Sequence, residues 1–189
     1  MRKIVYWVHT SIDGHVAGPG GEFDWPTVGP ELFGYSNAMN EQVDTLLYGR
    51  VVWEGMVSYW PTADADPTTA DDHARTFAPY WRRTPKVVMS RTLDKADHGA
   101  RVIGRNLPEE VAELKRRPGG DILLTGGSEA AASLTELGLL DDVRVVVHPV
   151  VLGGGPRLLP GLKDRLDLTL VDSRTFDGRT VLLHYERGH

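Results

Sequence analysis

Apolar and polar positions along this chain follow two periods, and the switches between them mark out its elements. Lys3–His9 is a short aromatic and β-branched run that predicts a buried strand. Similar runs at Leu46–Tyr48, Lys86–Ser90, Arg101–Ile103, Asp121–Thr125 and Val143–Val147 predict further strands. Between them, residues 31–43 and Arg50–Val57 predict helices, the second carrying Trp53, Met56 and Val57 on one face. Pro108–Arg117 is better signalled, with proline near its start, Glu109 and Glu110 in its first turn and Lys115, Arg116 and Arg117 in its last. Ser128 can cap a helix that runs to Leu137 and stops at Gly138. Leu168–Phe176 and Arg179–Glu186 flank Asp177-Gly178, a two-residue hairpin signal. Thr10–Gly14 is turn chemistry, Val16–Gly21 a flexible loop, and the Pro-, Thr-, Ala- and Asp-rich stretch 61–72 a loop or lid, with Asp71-Asp72-His73 solvated. Strands alternating with helices and closing in a hairpin predict an α/β fold with a mostly parallel sheet.

Composition narrows the chemistry. With 189 residues the chain is expected to form one domain, 1–189. The absence of cysteine excludes a thiolate nucleophile, a disulfide framework, a Cys-based zinc site and an iron–sulfur cluster. A net charge of −5, with 21 Lys and Arg, argues against nucleic acid as a partner. After the basic start Met1-Arg2-Lys3, the apolar run Ile4–Val8 is too short for a signal segment, and nothing approaches a membrane span. A soluble cytoplasmic protein is expected. The seven histidines show no metal-ligand spacing, so no metal is expected. No Gly-x-Ser-x-Gly elbow, Walker A loop or Gly-x-Gly-x-x-Gly fingerprint is present, which disfavours hydrolase, kinase and Rossmann readings.

Three strand ends carry residues suited to phosphate. They are Tyr48-Gly49-Arg50, Met89-Ser90-Arg91 and Thr125-Gly126-Gly127-Ser128. Glycine lets the backbone approach an anion, and the helix start at Ser128 and Glu129 offers free N–H groups. Arginine can fork onto a phosphate. Each junction alone reads more readily as a tight turn or a solvated cation than as a ligand site. Together they point to a dinucleotide with an extra monophosphate, NADP rather than NAD.

Thr10-Ser11-Ile12-Asp13-Gly14, Leu47-Tyr48-Gly49-Arg50-Val51-Val52-Trp53-Glu54, Lys86–Arg91 and Thr125–Ser128 resemble, in order, the dihydrofolate reductase-like superfamily. Leu139–Val143 and Pro149–Gly153 resemble more closely the C-terminal reductase domain of the bifunctional riboflavin-pathway deaminase–reductase and its stand-alone bacterial relatives. The resemblance covers nearly the whole chain. It implies a three-layer sandwich with about eight strands, four main helices and a C-terminal antiparallel hairpin. It also implies NADPH binding by Val8, Ala17, Gly49, Arg50, Val51, Ser90, Arg91, Thr125, Gly126, Gly127, Ser128 and Glu129, with a cis peptide frequent at the Gly-Gly turn. Thr10 and Asp13 are implied to line the nicotinamide and substrate. Trp25 and Trp60, beside prolines, are the aromatic candidates for substrate contact. Asp13 is the candidate proton source, and its alternative is a turn residue bonding its own backbone.

The sequence departs from the family at Val52, where dihydrofolate reductases place a phosphate-binding threonine, and the pteridine-binding acid of the first helix has only Glu31 nearby. Without cysteine the deaminase zinc site cannot exist. The expected function is therefore an NADPH-dependent reductase of a small heterocyclic, imine or carbonyl compound. Its alternatives are a non-catalytic NADP(H) sensor and the riboflavin-pathway reductase of an aminouracil sugar phosphate. The resemblance also implies a homodimer joined through a sheet edge.

Overall fold

A computed structural model describes residues 1–68 and 70–188. Eight strands form one sheet: β1 (Ile4–Thr10), β2 (Val43–Gly49), β3 (Lys86–Met89), β4 (Arg101–Ile103), β5 (Asp121–Thr125), β6 (Asp142–Val147), β7 (Leu168–Phe176) and β8 (Thr180–Arg187). Their order across the sheet is β4-β3-β2-β5-β1-β6-β8-β7. The first six in that order run parallel, β8 lies antiparallel to β6, and β7 lies antiparallel to β8. The expected mostly parallel sheet and C-terminal hairpin are both present.

Alternation along the strands sorts side chains into two cores. On β1, Ile4, Tyr6 and Val8 join one apolar layer with Val111 and Leu114 of α4 (Leu107–Arg116) and Ala131 and Leu134 of α5 (Ser128–Glu136). Val5 and Trp7 face the other way. They join Leu32 and Met39 of α1 (Pro30–Asn40), Trp53 of α2 (Arg50–Tyr59), and Tyr80 and Trp81 of α3 (Asp72–Arg83). A sheet buried on both faces by helices is the three-layer sandwich.

Five helices are described rather than four. Asp71-Asp72-His73 is not a solvated loop. The Asp71 carboxylate accepts the Ala74 N–H at 2.7 Å and caps α3, and Asp72 opens its first turn. Ala74, Ala78 and Trp81 then bury one face of this helix despite Pro79 in its interior. The stretch 61–68 is tied back to α3 by Arg82, which forks onto Asp64 at 2.6 and 2.8 Å. Helix α1 lacks a cap from its own N-cap residue, and the hairpin turn supplies one. The Asp177 carboxylate accepts the N–H groups of Glu31 and Leu32, and Glu31 returns a bond to the Asp177 N–H. At the opposite end of the sheet, buried Lys115 donates to both oxygens of Asp141 at 2.7 and 2.6 Å, while Asp141 accepts the Ile4 N–H. That cluster pins α4 to the start of β1. Among the described residues, no helix is long and apolar enough to cross a membrane.

Candidate functional site

The carboxyl ends of β1, β2 and β5 open into a cavity of about 860 Å³. Trp7, Val8 and His9 reach it from β1, Gly49 from β2 and Thr125 from β5. Ligands of open α/β sheets sit at this place. A smaller hollow of about 410 Å³ lies around Arg2, Asp44 and Lys86 at the other end. Its buried cations are already engaged: Arg2 holds Asp44 and Thr45, and Lys86 donates to the Thr84 carbonyl at 2.7 Å.

One half of the large cavity is formed by two helix N-termini. After β5, the Gly126 N–H extends the ladder to the Trp7 carbonyl at 2.9 Å. Gly126 and Gly127 then turn with φ of 57° and 71°, a left-handed conformation that glycine adopts without strain. Their peptide bond is trans, so the expected cis bond is absent. Gly127 serves as N-cap of α5, and Gly49 as N-cap of α2; neither helix start is capped by a side chain. The first N–H groups of both helices therefore lack intrahelical partners, and both dipoles point their positive ends into the cavity. Gly49 allows this convergence: a Cβ there would stand 3.2 Å from the Ala130 Cβ of α5. Ala17, Val51, Ser128 and Glu129 also line this half. Arg50 is the sole Lys or Arg among the described lining residues, and its Nη1 rests on Glu54 Oε1 at 2.8 Å.

Several expected residues lie elsewhere. Ser90 and Arg91 do not line the cavity; the Ser90 hydroxyl accepts the Thr92 and Leu93 N–H groups at 3.2 and 3.0 Å and shapes the turn after β3. Thr10 is buried, and its hydroxyl donates to the Ser11 and His15 carbonyls. Asp13 is also outside the lining. Its carboxylate accepts the N–H groups of Leu152 and Gly153 at 3.1 and 2.8 Å. Hydrogen bonds from Ser11 and then from that backbone hold its carboxyl well below the usual range. The carboxylate thus clamps the loop carrying Leu152 and Gly153 and does not face the cavity. Glu31 faces the hairpin turn, as described above, and not the cavity.

The other half is aromatic. Trp60 lines it as expected, stacked edge-on against His73 and Phe77 of α3 at 5.2 and 4.5 Å between ring centres. No described residue of the stretch 61–72, read as a loop or lid, lines the cavity; His73 and Phe77 of α3 do so beside Trp60. Trp25 is not among the described lining residues and stands edge-on to His148 at 5.5 Å between ring centres. His148 is buried, and its Nε2 lies 2.7 Å from Nδ1 of His9, which faces the cavity. Burial first, then the neighbouring His148 and His73, push the His9 imidazole down to about 3. This pair is invisible to sequence spacing because 139 positions separate its members; only the parallel β1–β6 register brings them together. Glu129, beside the α5 start, is the one carboxylate among the described lining residues.

Residues 2–182 match the RibD C-terminal domain family. The "Uncharacterized protein YyaP" of Bacillus subtilis (strain 168) is 36% identical over 188 residues, covering 98% of this chain and 95% of its own. Among solved structures, a putative riboflavin biosynthesis protein from Shewanella sp. PV-4 superposes with a TM-score of 0.77 at 24% identity, covering 100% of both chains. Dihydrofolate reductase from Enterococcus faecalis, solved with NADP(H), gives a TM-score of 0.64 at 14% identity, covering 99% of this chain and 97% of that one. At these identities the two structures speak for the fold alone.

Proposed function

From the RibD C-terminal domain family, to which this chain belongs, we propose an NADPH-dependent reductase acting on a small, uncharged, unsaturated ring or carbonyl compound. The observation that carries the reading is the pair of uncapped helix starts at Gly49 and Gly127, opening side by side beneath an aromatic chamber. The residues fit such a cofactor. Gly127 leaves open the space a Cβ would fill beside Val52 and Ala130, and the neighbouring N–H groups would hold the pyrophosphate. Arg50 would hold the adenosine phosphate once released from Glu54. Val8, Ala17 and Thr125 would flank the nicotinamide. Val52 presents a methyl where the wider superfamily has a hydroxyl, which leaves backbone donors to supply that contact. When bound, the cofactor supplies the hydride, and the chain supplies orientation and a water-poor chamber.

The substrate half carries no Lys or Arg among its described lining residues. A sugar phosphate would bring a dianion there with no partner, so the geometry favours an unphosphorylated substrate over the riboflavin-pathway intermediate. That end has no carboxylate among its described lining residues, which favours a second reading, a non-catalytic NADP(H) sensor. NADPH oxidation across a panel of quinones, aromatic ketones, imines and pterins separates them. Turnover of any member supports the reductase; saturable NADPH binding with no turnover supports the sensor. The reading includes a single cytoplasmic domain that pairs through the β7 edge, where Leu170 and Val171 are exposed. A monomeric mass in light scattering would refute that pairing.

A further inference from the structure

Thr10 pairs with Val147 in the parallel register of β1 and β6, so His9 and His148 meet just where both strands end. The loop before α1 closes over them. Phe23 stands edge-on to His9 at 6.3 Å and Trp25 edge-on to His148 at 5.5 Å between ring centres. The same loop presents the Thr27 backbone N–H to His148 Nδ1 at 3.4 Å. A backbone amide can only donate, so that ring nitrogen carries no proton. The neutral His148 proton therefore sits on Nε2 and is donated to His9 Nδ1. His9, accepting at Nδ1, must then carry its own proton on Nε2. That nitrogen has no partner among the described residues, and His9 lines the substrate half of the cavity.

The surroundings keep both rings neutral. Burial lowers the proton affinity of each; His73 faces His9, and the Arg179 cation disfavours charge on His148. The nearby acids do not compete: Asp13 is bound to Leu152 and Gly153, Glu31 to Asp177, and Glu129 opens α5.

We propose that His9, fixed as an Nε2–H donor by the chain Thr27–His148–His9, receives the acceptor atom of the substrate. The site thereby selects flat, uncharged compounds that present a carbonyl oxygen or ring nitrogen. This rests on the reductase reading for its meaning and not for its geometry. In a carbonyl reduction the hydride and its electron pair go to the carbon, and the displaced pair moves to the oxygen. The His9 N–H stabilises that growing charge. The proton that completes the alcohol comes from water, because its loss from a neutral imidazole would leave an imidazolate.

The test uses the full chain with ¹⁵N-labelled histidine. Long-range ¹H–¹⁵N spectra at pH 7 should show His9 and His148 both neutral and both protonated on Nε2. The probes are 1-indanone, a flat ketone, and indane, the same rings without the oxygen. The ketone should shift the His9 Nε2 signal and bind about tenfold tighter than indane, the worth of one hydrogen bond. His9→Leu should abolish that preference, and His9→Gln, which keeps a donor, should retain most of it. A charged or Nδ1-protonated His9, equal affinity for the two probes, or no binding of the ketone would overturn the proposal. Failure of NADPH to bind, with tautomers and ketone preference intact, would refute the reductase reading alone.

Discussion

Gly127→Ala separates what the Gly-Gly turn does for the fold from what it does for a ligand. The new methyl would lie 3.5 Å from Val52 Cγ2 and 3.6 Å from the Ala130 Cβ, ordinary contact that displaces nothing. The folding cost is backbone strain at φ 71°, about 1–2 kcal/mol for an L-residue in the left-handed region. Reduced freedom of the unfolded chain offsets about 0.4–1 kcal/mol of it. A net loss of about 1 kcal/mol should lower Tm by about 2–4 °C. The effect on binding is larger. The methyl would stand 3.9 Å from the Gly49 nitrogen, in the gap between the two helix starts. Losing one backbone bond to a charged phosphate removes about 1.5–3 kcal/mol, so NADPH should bind about 10- to 100-fold more weakly. Thermal melts and tryptophan-fluorescence titrations on the same samples measure both. An unchanged NADPH affinity beside a lowered Tm would refute the placement of the anion at this turn.

Other outcomes follow from the same geometry. Arg50→Ala should weaken NADPH by about tenfold more than NADH, and Glu54→Gln, which frees Arg50, should tighten NADPH; equal losses for both cofactors would contradict the phosphate role. Lys115→Met should cost about 3 kcal/mol in urea unfolding, by stranding Asp141, and should leave NADPH affinity unchanged because the pair lies at the far end of the sheet. His9 has a folded pKa of about 3 against an ordinary 6.5, so the unfolded chain takes up its proton first as pH falls. Its stabilisation is complete above about pH 6.5 and is lost towards pH 3, at most about 5 kcal/mol. Urea midpoints from pH 8 to 4 should fall less steeply in His9→Phe than in the parent; parallel curves would contradict the shift.

The central strands were legible because they are buried on both faces and read as short apolar runs, as in Ile4–Val8 and Leu46–Tyr48. Helix α3 was not legible because Pro79 and a run of aromatics mask its period, although Ala74, Ala78 and Trp81 keep helical spacing. Its cap was misread as well: Asp71 looks like a loop acid until Ala74 is seen to bond it. In the cavity, glycines at helix starts are local signals, so Gly49, Gly126 and Gly127, which line it, stand out in the sequence. Asp13 and Thr10 misled because a polar residue near a strand end can satisfy backbone groups of a distant loop as readily as a ligand. The His9–His148 pair depends on which strands are neighbours, and no local pattern encodes that.

The account stands most directly on a titration of the intact protein with NADPH and NADH, followed by tryptophan emission. Trp7 and Trp60 line the cavity and should report occupancy. The expected result is saturable quenching by NADPH in the micromolar range, with NADH weaker. No quenching and no calorimetric heat from either nucleotide at millimolar concentration would contradict the central claim.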